Sequence, residues 1–294
     1  MRLAVLFGSF FFLLLFSSSF AFIINQLPGD ARTHGLLAST VQCILAFCLP
    51  AFILAKFSSN DWKRWLELTR PPKIRALIGV LIVYCISMPA MEWLIEWNSN
   101  IRLPESMAGL EQTLRNWEET NEATSRLLLD THGFFPVLVG VLVIGVLTGF
   151  SEELFFRGGL QGIFSRSNIG IGVSVWLAAF IFSTMHFQFF GFLPRLLMGA
   201  FFGYLLIWTR SIWVPMFAHI LNNSVVVISS AVSGDPSSNL IDSTNPSIFF
   251  DNSLGVIISI VLTTAFLVIC RNYIFKSKSL FPWQKKQLPS VSEN

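Results

Sequence analysis

Apolar residues in this chain come in long uninterrupted blocks, not in the one-sided stripe of a soluble helix, and the blocks recur from end to end. A helix that crosses a bilayer needs about 20 mostly apolar residues. Segments at roughly 3–24, 36–55, 74–97, 134–157, 169–191, 193–209, 212–232 and 250–271 meet that measure. Gly191 and Pro194 divide the fifth block from the sixth, and Arg210 with Ser211 divides the sixth from the seventh. The pattern predicts an all-α polytopic membrane bundle of about eight transmembrane helices. In the fourth block, Phe155, Phe156, Leu160, Ile163 and Phe164 keep helical spacing beyond the charges at 152–157, so that helix is expected to continue to about residue 165.

Segment 98–132 departs from the blocks. Leu110, Leu114, Trp117 and residues 127–129 alternate with Glu111, Glu118, Glu119 and Glu122, the pattern of an amphipathic helix. Such a helix lies along the interface, covering the bundle edge or acting as a lid. Three units follow: 1–132 with three transmembrane helices and this extracytoplasmic amphipathic segment, 133–232 as the central core, and 233–294 with the last helix and a basic cytoplasmic tail. The residues after Ser279 read as disordered.

Composition narrows the class. Only 13% of residues are charged, against about 25% in soluble domains, so a soluble enzyme is excluded. A net charge of +3 is too small to argue for a nucleic-acid partner. The basic residues set orientation instead. Lys56, Lys63, Arg64, Arg70, Lys73 and Arg75 mark one cytoplasmic segment, and Arg271, Lys276, Lys278, Lys285 and Lys286 mark the tail. Loop 233–249 carries Asp235 and Asp242 without a basic residue and belongs outside, as does 98–132. Eight spans with both termini cytoplasmic satisfy these assignments and leave Arg32 and Arg195 as isolated exceptions. The expected setting is an integral, multi-pass protein, in the cytoplasmic membrane if the source is prokaryotic. The first block is long for a cleaved signal and lacks a small-x-small site, so a retained helix is expected.

Glu152 and Glu153 follow a run, Phe134–Phe150, that contains no ionisable group. A charge at membrane depth costs roughly 2.5–3.5 kcal/mol on insertion scales and is a functional candidate by default. Helix geometry puts Glu153 and Arg157 on one face as an ion pair and turns Glu152 about 100° away. The alternative is a charged cluster that merely ends the helix at the interface. His186 follows Phe182 by one turn, and His219 shares a face with Asn223. Each alone fits a core histidine or an interhelical hydrogen bond. Together they supply the group types that hydrolysis uses. A proton-relay transporter is the competing class, but neither an internal repeat nor matched interrupted helices are found in the sequence.

Glu-Glu-x-x-x-Arg at 152–157, Phe-x-x-x-His at 182–186 and His-x-x-x-Asn at 219–223 resemble, in order and spacing, the three motifs of the CAAX protease and bacteriocin-processing family, also called Abi membrane proteases. The resemblance covers about residues 134–230. It implies an intramembrane endopeptidase, like the CAAX prenyl proteases, acting on a peptide or membrane-protein substrate within the lipid bilayer, without nucleic acid. A non-catalytic immunity or scaffold protein of the same fold is the alternative. By the resemblance, Glu152 is the general base, His186 holds the water, His219 and Asn223 stabilise the oxyanion, and Glu153 with Arg157 orients the helix. No metal is the favoured expectation. Zinc on Glu152, His186 and His219 is the alternative, although no His-x-x-x-His pair is present to anchor it. Straight helices rising about 1.5 Å per residue would leave His186 and His219 about 15 Å apart in depth. The fifth segment is therefore expected to tilt or to begin late, near Ser174, after Gly170 and Gly172.

Overall fold

The computed structural model describes residues 1–167, 169–234 and 253–274. The sequence expectations for most of the 233–249 loop and for the tail beyond residue 274 fall outside that range. Every regular element among the described residues is helical. They are α1 (Arg2–Ile24), α2 (Ala31–Ser58), the short α3 (Trp62–Trp65), α4 (Ile74–Ser99), α5 (Ala108–Leu129), α6 (Phe134–Ser165), α7 (Ile171–Thr184), α8 (Phe192–Thr209), α9 (Trp213–Ser233) and α10 (Ser253–Ile274). Seven of these are long and apolar enough to cross a membrane: α1, α2, α4, α6, α8 (with the 3₁₀ turn Phe189–Gly191 before it), α9 and α10. The protein is a polytopic helical bundle.

The fifth apolar block forms only a short helix. α7 has 14 residues, and both of its ends have a backbone cause. Gly170 before it has φ +86°, outside the helical region, so the helix starts at Ile171. Phe187 after it has φ +53°, which turns the chain back toward α8. The late start expected near Ser174 is not found: the helix begins at Ile171, and it ends early, at Thr184.

α6 is the 32-residue column at the centre of the bundle. Two π-helical stretches, Val141–Leu147 and Leu154–Gln161, flank a short α-helical piece, Thr148–Glu153, which carries both carboxylates. Every residue from Glu153 to Gly162 is buried. The acidic pair therefore lies inside the helix, which ends at Ser165; the interface-terminus alternative does not hold. Phe155, Phe156 and Leu160 pack against Leu6 and Phe10 of α1, Leu54 of α2 and Phe182 of α7.

The α6–α9 contact is closer still. A Cβ on Gly149 would stand 3.0–3.3 Å from Ile220 and the backbone of His219, and one on Gly145 would collide with the Ser224 side chain. Two glycines four residues apart let the backbones approach, as small residues do between membrane helices. This approach brings His219 against α6.

The two ends of the bundle differ. At one, the 59–73 segment folds over the helix ends: Arg166 donates to Trp65 O (2.8 Å), Ser211 Oγ to Arg70 O (2.7 Å) and Trp213 Nε1 to Leu68 O (3.0 Å). Glu67 is buried there, 3.8 Å from Arg166, and desolvation pushes its carboxyl up to about 7 despite the nearby arginines. At the other end lies α5, none of whose residues is buried. Arg32, one of the two exceptions to the charge pattern, donates to Leu128 O at the end of α5 (3.1 Å) and to Pro136 O (3.0 Å). The other exception, Arg195, donates to the side chain and backbone oxygens of Gln188. Both charges are thus held by protein acceptors at the end the pattern assigns to the outside.

Candidate active site

Glu153 organises the polar centre. Its Oε1 lies 2.8 Å from Arg157 Nη1 and 2.9 Å from His219 Nδ1. The expected intrahelical ion pair is present, and the histidine joins it from α9. Glu153 is fully buried and Arg157 is 1% exposed. Arg157 also donates to Gly199 O of α8 (3.0 Å). Its guanidinium lies over the rings of Phe182 (4.7 Å) and Phe202 (5.3 Å). The same two rings hold His219: Phe202 stacks on it at 5.0 Å and 27°, and Phe182 meets it edge-on at 5.9 Å. A carboxylate only accepts, so Nδ1 of His219 carries the proton of that bond. Its Nε2 is left facing the second carboxylate.

That second carboxylate is Glu152, whose side chain is 12% exposed where that of Glu153 is 0%. Glu152 Oε2 stands 3.7 Å from His219 Nε2. The separation is too long for a direct hydrogen bond and too short for a water between the atoms, but a water lying beside the pair could reach both.

His186 stands in the turn after α7, half-buried, not within a spanning helix. Its Nδ1 lies 2.8 Å from Phe182 O. A carbonyl can only accept, so this nitrogen is the donor and Nε2 is the free one. The ring packs edge-on against Phe182 at 4.9 Å, and Phe182 therefore touches both histidines. The shared Phe182 ring brings the two histidines to one level of the bundle, although straight helices starting at the surface would separate them. Asn223 faces α6: its Nδ2 donates to Ile144 O (3.2 Å), inside the first π-helical stretch, and its Oδ1 accepts from Asn222 (3.2 Å). π turns occur preferentially at functional sites. The bond to Ile144 uses one of the two amide hydrogens.

Behind Phe202 and Asn222 lies an apolar cavity of about 410 Å³ between α4, α8, α9 and α10, lined among others by Val83, Tyr84, Met88 and Leu267. A zinc site fits this centre poorly. Among the described residues, no three His, Cys, Asp or Glu side chains gather as ligands would. The Nδ1 bond of His219 to Glu153 bears on neither outcome, since it leaves Nε2 open.

The structure thus brings Glu152, Glu153, Arg157 and His219 into one cluster, sets His186 against the shared Phe182 ring, and ties Asn223 to α6. Sequence spacing shows intrahelical pairs and is blind to partners across helices, so the Glu153–His219 bond and the Phe202 stack do not follow from it. The Gly145-x-x-x-Gly149 spacing is the signal that marks where α9 would come close.

These features define an integral, multi-pass membrane protein with a buried carboxylate–imidazole centre. Residues 134–225 match the family described as type II CAAX prenyl endopeptidase Rce1-like, a protease family. The match bears out the resemblance over that span, which contains all six candidate residues. The uncharacterized protein YpbD of Bacillus subtilis (strain 168) is 30% identical over 89 residues, 29% of this chain and 42% of that protein. The chain therefore covers less than half the length of this relative. No solved structure matches the chain.

Proposed function

We propose that this protein is an intramembrane endopeptidase in which Glu152 activates water for attack on a peptide carbonyl. The observation that carries the reading is the contrast between the two carboxylates. Glu153 is sealed and neutralised by Arg157, while Glu152 is accessible and stands 3.7 Å from His219, where one water beside the pair could reach both. Water there donates one hydrogen to Glu152, with His186 Nε2 available as a second acceptor. As Glu152 takes the proton, the hydroxide adds to the carbonyl carbon. The oxyanion then needs donors in a dry site. With Nδ1 bonded to Glu153, the His219 ring is oriented so that a proton on Nε2 would point at the oxyanion, and the remaining Asn223 amide hydrogen is the second donor. The C–N bond breaks as Glu152 returns its proton to the departing nitrogen, giving one new carboxylic acid and one new amine, between which the last proton then passes. A peptide or membrane-protein segment is the substrate class that a centre at membrane depth serves. No step requires a metal, in keeping with the poor fit of the donor set.

The test is Glu152→Gln in detergent-purified protein against a peptide library. It removes the base while keeping shape, so cleavage should vanish with the melting temperature unchanged. The wild type should tolerate a strong chelator. Near-normal turnover in the variant would overturn the role of Glu152. Stoichiometric zinc, lost together with activity on chelation, would overturn the metal-free mechanism.

A further inference from the structure

His186 stands on a connection, residues 185–191, and a reacting group on a connection needs its geometry fixed from outside. The connection holds one conformation that its sequence does not favour, since Phe187 adopts φ +53°. Part of the support is local, from Ser183 Oγ donating to Phe192 O (2.7 Å). The rest comes from two side chains distant in sequence. Asn98, at the end of α4 and 1% exposed, donates to Phe189 O (3.3 Å) and accepts from Leu193 N (2.8 Å). Glu118, in the middle of α5, accepts from Phe190 N (3.0 Å). On either side of that bond, the Arg115 guanidinium lies 4.0 Å over the Phe190 ring and Trp117 meets Phe187 edge-on at 6.2 Å.

α5 buries none of its residues, so hydrophobic burial does not explain why it sits there. It is fastened at its far end by Arg32 and by Ser230, which donates to Leu129 O (3.0 Å), and in its middle by the contacts to 187–190. We propose that α5 is a strap across the turn that carries His186, and that Glu118 is the positioning residue through which the strap sets that histidine. The proposal rests on His186 being the water-holding group described above. Glu118 is not one of the reacting groups; it acts through the backbone of Phe190.

Glu118→Ala and Glu118→Gln in the full chain in lipid nanodiscs separate this role from a merely structural one, because glutamine keeps the accepting oxygen. Exchange of the Phe190 amide and the ring signals of labelled histidines are read alongside kcat and KM. In Glu118→Ala, the Phe190 amide should exchange at least about tenfold faster, and the His186 signals should shift while those of His219 stay in place. kcat should fall about tenfold with a smaller change in KM, since a displaced group costs rate more than binding. Glu118→Gln should restore all of these. Unchanged exchange and unchanged His186 signals in Glu118→Ala, or equal damage from both variants, would overturn the strap. Exchange and histidine signals need no turnover and decide the strap by themselves. A wild type that cleaves nothing counts only against the protease reading.

Discussion

Arg157 and Glu153 form an ion pair that solvent does not reach, and one carboxylate oxygen serves both the arginine and His219. Removing the cation leaves a buried carboxylate opposite a histidine with nothing to balance it. Arg157→Ala should therefore cost about 3–5 kcal/mol of stability, the usual result of breaking a buried pair from one side. Thermal unfolding in detergent measures the loss, and a wild-type melting temperature would show that the pair contributes little. Much of this centre is legible in the sequence, because an uncharged run followed by two glutamates is costly unless used, and because i, i+4 spacing gives the Glu153–Arg157 pair directly. The histidine's choice of Glu153 over Glu152 is not legible. It depends on the rotation of α9 about its own axis, and the polar positions His219, Asn222, Asn223 and Ser224 spread over too wide an arc to fix that rotation.

Among the elements, the spanning segments are the easiest part to read. Hydrocarbon thickness sets their length, and the observed ends of α1, α4, α8 and α9 fall within two residues of those expected. The run of α6 to Ser165 follows from Phe155 to Phe164 keeping helical spacing past the charges. The end of α7 is different, since a phenylalanine at positive φ closes it and no glycine or proline announces the turn. The π-helical stretches are equally silent, because a widened turn shows in sequence only as a slip in a stripe that α6 lacks. At this scale the α6–α9 approach is the contact to test. Gly149→Leu would force a side chain into the space held by Ile220 and His219, a cost of about 1–3 kcal/mol by overpacking. Activity should fall much further than stability, because the same shift draws His219 away from Glu153. The melting temperature and kcat, measured on one preparation, check this. An active Gly149→Leu variant would mean that the close approach does not position the histidine.

Over the whole molecule, charge and packing agree on two unlike ends. The 59–73 segment, rich in lysine and arginine, folds onto one end and brings Glu67, Arg166 and Ser211 with it. The sparsely basic α5 crosses the other. The division was legible because Lys and Arg are sorted by side. The strap-like course of α5 was not, since an amphipathic pattern records that a helix has two faces and not what either face meets.

The 14 residues of α7 also bear on the lipid around the protein. At about 1.5 Å per residue they reach roughly 21 Å, well short of a hydrocarbon layer about 30 Å thick. A span this short is accommodated by a locally thinner bilayer, and the deficit falls beside the turn that holds His186. Headgroups and solvent would dip toward Glu152 and His186 there, and the hydrolysis proposed above would draw its second reactant from that side. Turnover should then depend on acyl length, faster in vesicles of short-chain phosphatidylcholine than in long-chain ones of equal fluidity. A rate indifferent to thickness would mean that water arrives by another route.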